Sequence, residues 1–236
     1  MLVMFTSHMN AQLITDRPDQ TESSSTVGKQ NLQIESGILV GFEGDGQFST
    51  RQVLAPTNLF RYGLTKGIEL RFLSQFESFK FQDQVVQGIS DIEIGAKFQI
   101  FQKEGSGTEI AFISHLLIPT GSTELSNDDF GTINKLAVSH EINETMGLGY
   151  NIGYDYLGAG SGNLTYSLVL GVGVNEKVGI YIEPYGELVD LEDFLQYFDA
   201  GLTYLAKENL QFDLSFGTGI NHKMNYISLG CCLKIT

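Results

Sequence analysis

From Asn31 to Glu43 the chain alternates between apolar and polar positions. Leu32, Ile34, Ser36, Ile38, Val40 and Phe42 hold one parity, and Asn31, Gln33, Glu35, Gly37, Gly41 and Glu43 the other, with Leu39 the apolar residue on the polar side. A period of two is that of a β-strand with one oily face and one wet face. The pattern returns in segments of about 9 to 13 residues, the length of a tilted strand that crosses a bilayer. Oily parities include Leu54, Phe60, Tyr62 and Leu64; Ile68, Leu70, Phe72 and Phe76; Ile92, Ile94, Phe98 and Ile100; and finally Ile227, Leu229, Cys231, Leu233 and Ile235. About twelve such segments predict an all-β fold, a transmembrane antiparallel up-and-down β-barrel of about 12 strands.

The links between segments carry a second regularity. Thr65 to Gly67, Asn143 to Thr145, Asn175 to Lys177 and Lys207 to Asn209 are short, and Gln102 to Thr108 is slightly longer. Between them lie longer links, Gly44 to Val53, Ser78 to Gly88, Thr120 to Gly131, Leu157 to Asn163, Val189 to Gln196 and Asn221 to Asn225. Short periplasmic turns alternating with long outer loops give this rhythm and place both termini on the periplasmic side. Phe42, Phe76, Phe79, Tyr154, Tyr156, Tyr185, Tyr197 and Phe198 sit near strand ends, as an interfacial aromatic girdle would.

Composition agrees with many strands and tight turns: 236 residues hold 27 Gly, 4 Pro, 16 Phe, 10 Tyr and no Trp. Mean hydropathy is -0.01, and no apolar run approaches the roughly 20 residues of a spanning helix. A formal charge of -14 argues against nucleic acid as a partner. The two cysteines, Cys231 and Cys232, are adjacent and fall on opposite faces of a strand, so no disulfide framework is expected. Residues 1–11, with Leu2 to Phe5 apolar and Ala11 small, read as the tail of a secretory signal peptide. Residues 12–30 are polar and read as a periplasmic segment that either folds into the lumen as a plug or hangs free; residues 31–236 read as the barrel.

Charge faces hydrocarbon only at high cost, so charged residues within the strands are expected to point inward. Glu35, Arg61, Glu69, Arg71, Asp91, Glu93, Lys97, Glu183 and Asp213 are the candidate lumen and selectivity residues, and Asp16, Arg17, Pro18 and Asp19 the candidate plug. The mixed signs suggest ladders of ion pairs, which either fill a narrow lumen or select what passes. Gly147, Gly149, Gly153, Gly171, Gly173, Gly179, Gly217 and Gly219 gather in the C-terminal half and leave room there, or serve strand curvature.

Five stretches carry a resemblance: Thr15 to Asp19 followed by Thr21 to Ser23; Phe60 to Leu64 with Ile68 to Arg71; Ser90 to Lys97; Ile118 to Ser122; and Leu210 to Asp213. In them the chain resembles the Bacteroidota branch of the outer-membrane family called "putative MetA-pathway of phenol degradation", a transporter family. The resemblance implies a barrel in the bacterial outer membrane that passes small, hydrophobic or aromatic solutes. It implies contact with outer-membrane lipid, lipopolysaccharide and the barrel-assembly machinery. The chain departs from barrel habit at Leu233 to Thr236, which lacks a terminal aromatic.

A channel is therefore the expected function, with a non-conducting accessory barrel of an envelope assembly as the alternative. A remote third is an outer-membrane lipid hydrolase, because Ser114 and His140 share the outward parity on neighbouring segments. No third catalytic group accompanies them, so no enzyme, catalytic residue or cofactor is expected. His8, His115, His140 and His222 are isolated, and no metal site is expected. The acidic loop residues Asp128, Asp129, Asp190, Glu192 and Asp193 read as solvated charge or as bridges to lipopolysaccharide through divalent ions.

Overall fold

The computed structural model describes residues 13–102, 105–127 and 129–236; the candidate signal segment lies outside them. Thirteen strands run in chain order: β1 Leu32–Glu43, β2 Thr50–Gly63, β3 Ile68–Phe81, β4 Gln84–Ile89, β5 Ile92–Gln102, β6 Thr108–Ile118, β7 Gly131–Asn143, β8 Met146–Tyr156, β9 Asn163–Gly173, β10 Val178–Val189, β11 Asp193–Lys207, β12 Leu210–Gly219 and β13 Met224–Ile235. Sequence neighbours pair antiparallel, and β1 pairs with β13 from Leu32 opposite Ile235 to Glu43 opposite Met224, which closes the sheet. β4 and β5 are two halves of one barrel strand: both pair with β3, β4 along Phe76–Phe81 and β5 along Ile68–Leu73, with a break at Ser90 and Asp91. The result is a closed twelve-strand antiparallel barrel.

The alternation in the sequence becomes an inverted burial pattern. Ile152 is 63% exposed and Leu229 58%, whereas Arg61 and Glu69 are fully buried. A soluble fold would pay heavily for that arrangement; a lipid-facing wall with a polar interior does not. Cys231 lies on the outward parity, Cys232 is buried inside, and both are free thiols.

Three local readings need correction. Leu54 does not share the outward parity of Phe60 and Tyr62. β2 carries one extra residue between Leu54 and Thr57, so Leu54 sits opposite Leu39 and Glu77 on the inner face. Pro56 lies in that bulge, where its missing N–H costs no ladder bond. Ser78 to Gly88 is not a loop but a continuing hairpin, in which Phe79 faces Val86 and Lys80 faces Val85. The link after β10 shrinks to residues 190–192, turned by the left-handed Asp190 (φ 50°) and Leu191 (φ 62°).

Candidate functional site: a threaded lumen

Residues 13–30 run inside the barrel from the short-turn end, where Gln30 N donates to Gly63 O (2.7 Å) and Thr26 Oγ1 to Lys66 O (2.8 Å). Asp16 is the hub of one wall. Its carboxylate meets Arg71 at 2.5 Å, Lys97 at 3.0 Å and Arg61 at 3.4 Å, cations from β3, β5 and β2 that alternation has turned inward. Arg61 also pairs with Glu35 (2.8 Å) and Glu69 (2.8 Å), and Arg71 with Glu69 (3.1 Å) and Glu22 (2.6 Å). Each buried charge of this wall thus has an opposite neighbour, the condition under which burial of ions is tolerable.

Arg17 turns to another wall, donating to Asp213 (3.1 Å) and Ser228 (3.0 Å). The guanidinium rests over Gly37 and Gly230, register partners on β1 and β13, and a Cβ on either would collide with it. Those two glycines are a groove cut for one side chain. Gly63 serves similarly, because a Cβ there would strike the backbone of Gly28.

On the β8–β11 side the segment is held by neutral and acidic groups. Glu183 accepts from Gln20 N (2.7 Å) and Thr21 Oγ1 (2.5 Å), and Thr21 Oγ1 lies 2.6 Å from Ser167 Oγ. Asn151 exchanges two bonds with the backbone of Glu22, at 2.7 and 3.0 Å. Asp199 accepts from Tyr226 OH (2.5 Å), while its Oδ1 and Thr203 Oγ1 have no partner among the described residues.

Two cavities flank the segment. A vestibule of about 940 Å³ opens at the short-turn end, bordered by Pro18, Asp19, Thr21, Tyr181 and a run of glycines. A smaller cavity of about 330 Å³ lies toward the long loops, with Gln20, Tyr185 and Tyr197 on its wall. Asp19 and Thr21 border the first and Gln20 the second, so this stretch of the segment, with the side chains bonded to it, is part of the partition between them.

Of the residues expected at the lumen, Glu35, Arg61, Glu69, Arg71 and Lys97 are brought together around Asp16, while Glu183 and Asp213 face the segment from elsewhere on the wall. Glu93 reaches the hub only through His115, whose Nδ1 lies 2.7 Å from it and whose Nε2 accepts from Arg71 Nε (2.8 Å). Asp91 is not a wall residue of the passage. It sits in the break between β4 and β5, where its carboxylate accepts from Ser126 Oγ (2.6 Å) and the backbone N–H of Asn127 (2.8 Å), Gly121 (2.9 Å) and Thr120 (3.0 Å). Burial works to raise its pKa, and the Ser126, Gly121, Asn127 and Thr120 bonds together hold it below the usual carboxylate value.

Five of the eight glycines, Gly147, Gly149, Gly171, Gly173 and Gly179, border the vestibule, whereas Gly217 makes room for the Tyr226 ring. Tyr185 and Tyr197 are not girdle residues; they share the inward parity of Glu183 and Asp199 and stack on each other. Thr21, Glu22, Asn151 and Ser167 went unmarked as contacts, although Thr21 and Glu22 lie within the stretches that carry the family resemblance. Ser114 donates to Asn134 (2.8 Å), and His140 stands opposite Thr108, six residues or about 20 Å along β6 from Ser114. They form no dyad. Among the described residues no group of three His, Cys, Asp or Glu is placed to hold a metal ion.

The family described as "Putative MetA-pathway of phenol degradation" matches residues 15–228. The chain belongs to this family. The match takes in the lumen segment from Thr15 onward as well as the barrel. Among solved structures, this family member is similar to the COG4313 outer membrane channel from Pseudomonas putida F1, with 11% identity, 93% of this chain and 100% of that one covered, and a TM-score of 0.76. It is also similar to the KdgM porin in complex with disordered oligogalacturonate (11% identity, 86% and 99% covered, TM-score 0.60) and to the NanC porin (10%, 85% and 100%, 0.52). At these identities the shared property is the fold, an outer-membrane β-barrel of the kind channels and porins use. No curated protein matches the chain in sequence.

Proposed function

We propose that this family member is an outer-membrane channel for small neutral or cationic solutes, with residues 19–21 as its constriction. The observation that carries the proposal is the pair of cavities, about 940 and 330 Å³, inside a closed barrel, with Asp19 and Thr21 on the lining of the first and Gln20, between them in the chain, on the lining of the second. This stretch belongs to a segment outside the barrel wall, and the acidic side chain of Glu183 holds it through Gln20 N and Thr21 Oγ1. An acidic wall focuses cations and repels anions. The family name supports an aromatic or otherwise hydrophobic solute, and the fold supports residence in the outer membrane, with lipid and lipopolysaccharide around the barrel and the assembly machinery as its folding partner.

The test is a planar bilayer across a KCl gradient. The proposal expects discrete conductance steps and a reversal potential of cation-selective sign; anion selectivity would reject the solute class. A folded, heat-modifiable barrel that passes no current would favour the accessory-barrel reading, which draws on one observation: the Asp16 hub pins the segment to three strands at once.

A further inference from the structure

We propose that the outer cavity is a binding site for a small alkylammonium ion of about the size of choline, the last station before the constriction; this rests on reading the lumen as a solute path. The cavity of about 330 Å³ is at the lower end of the range for small-molecule sites, roughly 300 to 1,000 Å³. Its aromatic wall is rigid. The Tyr185 and Tyr197 rings stack with centroids 4.8 Å apart and planes 8° from parallel, and His222 braces Tyr197 edge-on at 4.7 Å. Across the register from Tyr185 on the other side stands Ser167, too small to cover the second face of the ring.

Two carboxylates complete the site. Glu187 is oriented by Tyr197 OH and Asn163 Nδ2, each at 3.1 Å. Asp155 borders the same cavity, and its Oδ1 is buried with no hydrogen-bond partner among the described residues. The basic residue on the lining, Lys135, is already paired with Glu22 at 3.1 Å. An unpartnered carboxylate oxygen asks for a donor, and ring faces beside net negative charge attract a cation. Rings and the Met224 side chain offer dispersion and not coordination, so the charge they suit is an alkylated nitrogen and not a metal ion. A bound ion would rest against Gln20, whose backbone N–H is tied to Glu183, and so against the partition itself.

Calorimetric titration of the folded barrel in detergent with choline, and with its neutral isostere 3,3-dimethylbutan-1-ol, tests the site. Saturable binding of choline with none of the alcohol is expected. Tyr185→Ala and Asp155→Asn should each weaken binding roughly tenfold, while Tyr185→Phe, which keeps the ring, should bind as wild type does. Equal binding of the alcohol, or no saturable binding of choline by the wild-type barrel, overturns the proposal. Conductance of the same preparation is read separately: binding without current rejects the channel and keeps the site, and current without binding does the reverse.

Discussion

The wall built by β1, β2, β3 and β5 and the wall built by β9, β10 and β11 hold the same lumen segment by different physics. On the first, Arg61, Arg71 and Lys97 are matched by Asp16, Glu35, Glu69 and Glu22 at 2.5 to 3.4 Å. On the second, Glu183 and Asp199 have hydroxyl and backbone N–H partners and no cation, and Asp199 Oδ1 has no partner. Removing one partner of a buried ion pair strands the opposite charge, whereas a hydroxyl or N–H donor to a carboxylate can be replaced by water. The first wall is an anchor and the second a latch. The partition hangs from the latch, and the vestibule opens beneath it.

Arg61→Ala should break this contrast most severely. It leaves Glu35 buried without a cation and Glu69 with Arg71 alone, at a cost of about 3 to 5 kcal/mol, seen as a lower urea midpoint and a lower temperature for heat-modified migration on gels. Asp199→Asn should be neutral or stabilising in the same assays; equal losses from both would erase the distinction between the walls. Next in size is Ile94→Lys, on the lipid face, which should impair assembly by about 2 to 4 kcal/mol. Its neighbour Glu93→Lys should assemble normally and move the reversal potential toward anions, so equal tolerance at the two positions would refute the facing assignment. The smallest effect belongs to Asp91, outside both walls. Its folded pKa is lowered, so the stability it lends loop 119–127 is present above the ordinary carboxylate value, about 3.9, and is lost as pH falls through the lowered one. Hydrogen exchange in that loop should accelerate in acid, and in Asp91→Asn it should already be fast at neutral pH; a loop insensitive to both would show that Asp91 does not tether it.

Much of this was legible in the chain, because a period of two assigns every strand residue a side without knowledge of its partners. Where strand geometry departs from that period, the reading slipped. The bulge at Ala55 and Pro56 turned Leu54 inward, and Pro56 within a strand was the available signal. Tyr185 and Tyr197 were placed in a girdle by their nearness to strand ends, although they share parity with Glu183 and Asp199. The polar segment before β1 was open to two fates, since nothing local distinguishes a dangling chain from one satisfied by distant strands. Arg17 meets Asp213 across 196 positions, and only closure of the barrel brings them together. The cavities are likewise products of closure, hinted at by the glycines and not by any motif.

The central claim is that Asp19, Gln20 and Thr21 constrict the passage and that β9 and β10 hold them there. Single-channel recording of wild type beside the double variant Thr21→Gly, Glu183→Ala, with heat-modifiable migration confirming that both barrels fold, tests it most directly. The variant removes the bonds from Thr21 to Ser167 and Glu183 and the acceptor of Gln20 N, and leaves the Asp16 anchor intact. The account predicts a larger conductance for the variant. Identical conductance from two folded barrels would contradict it.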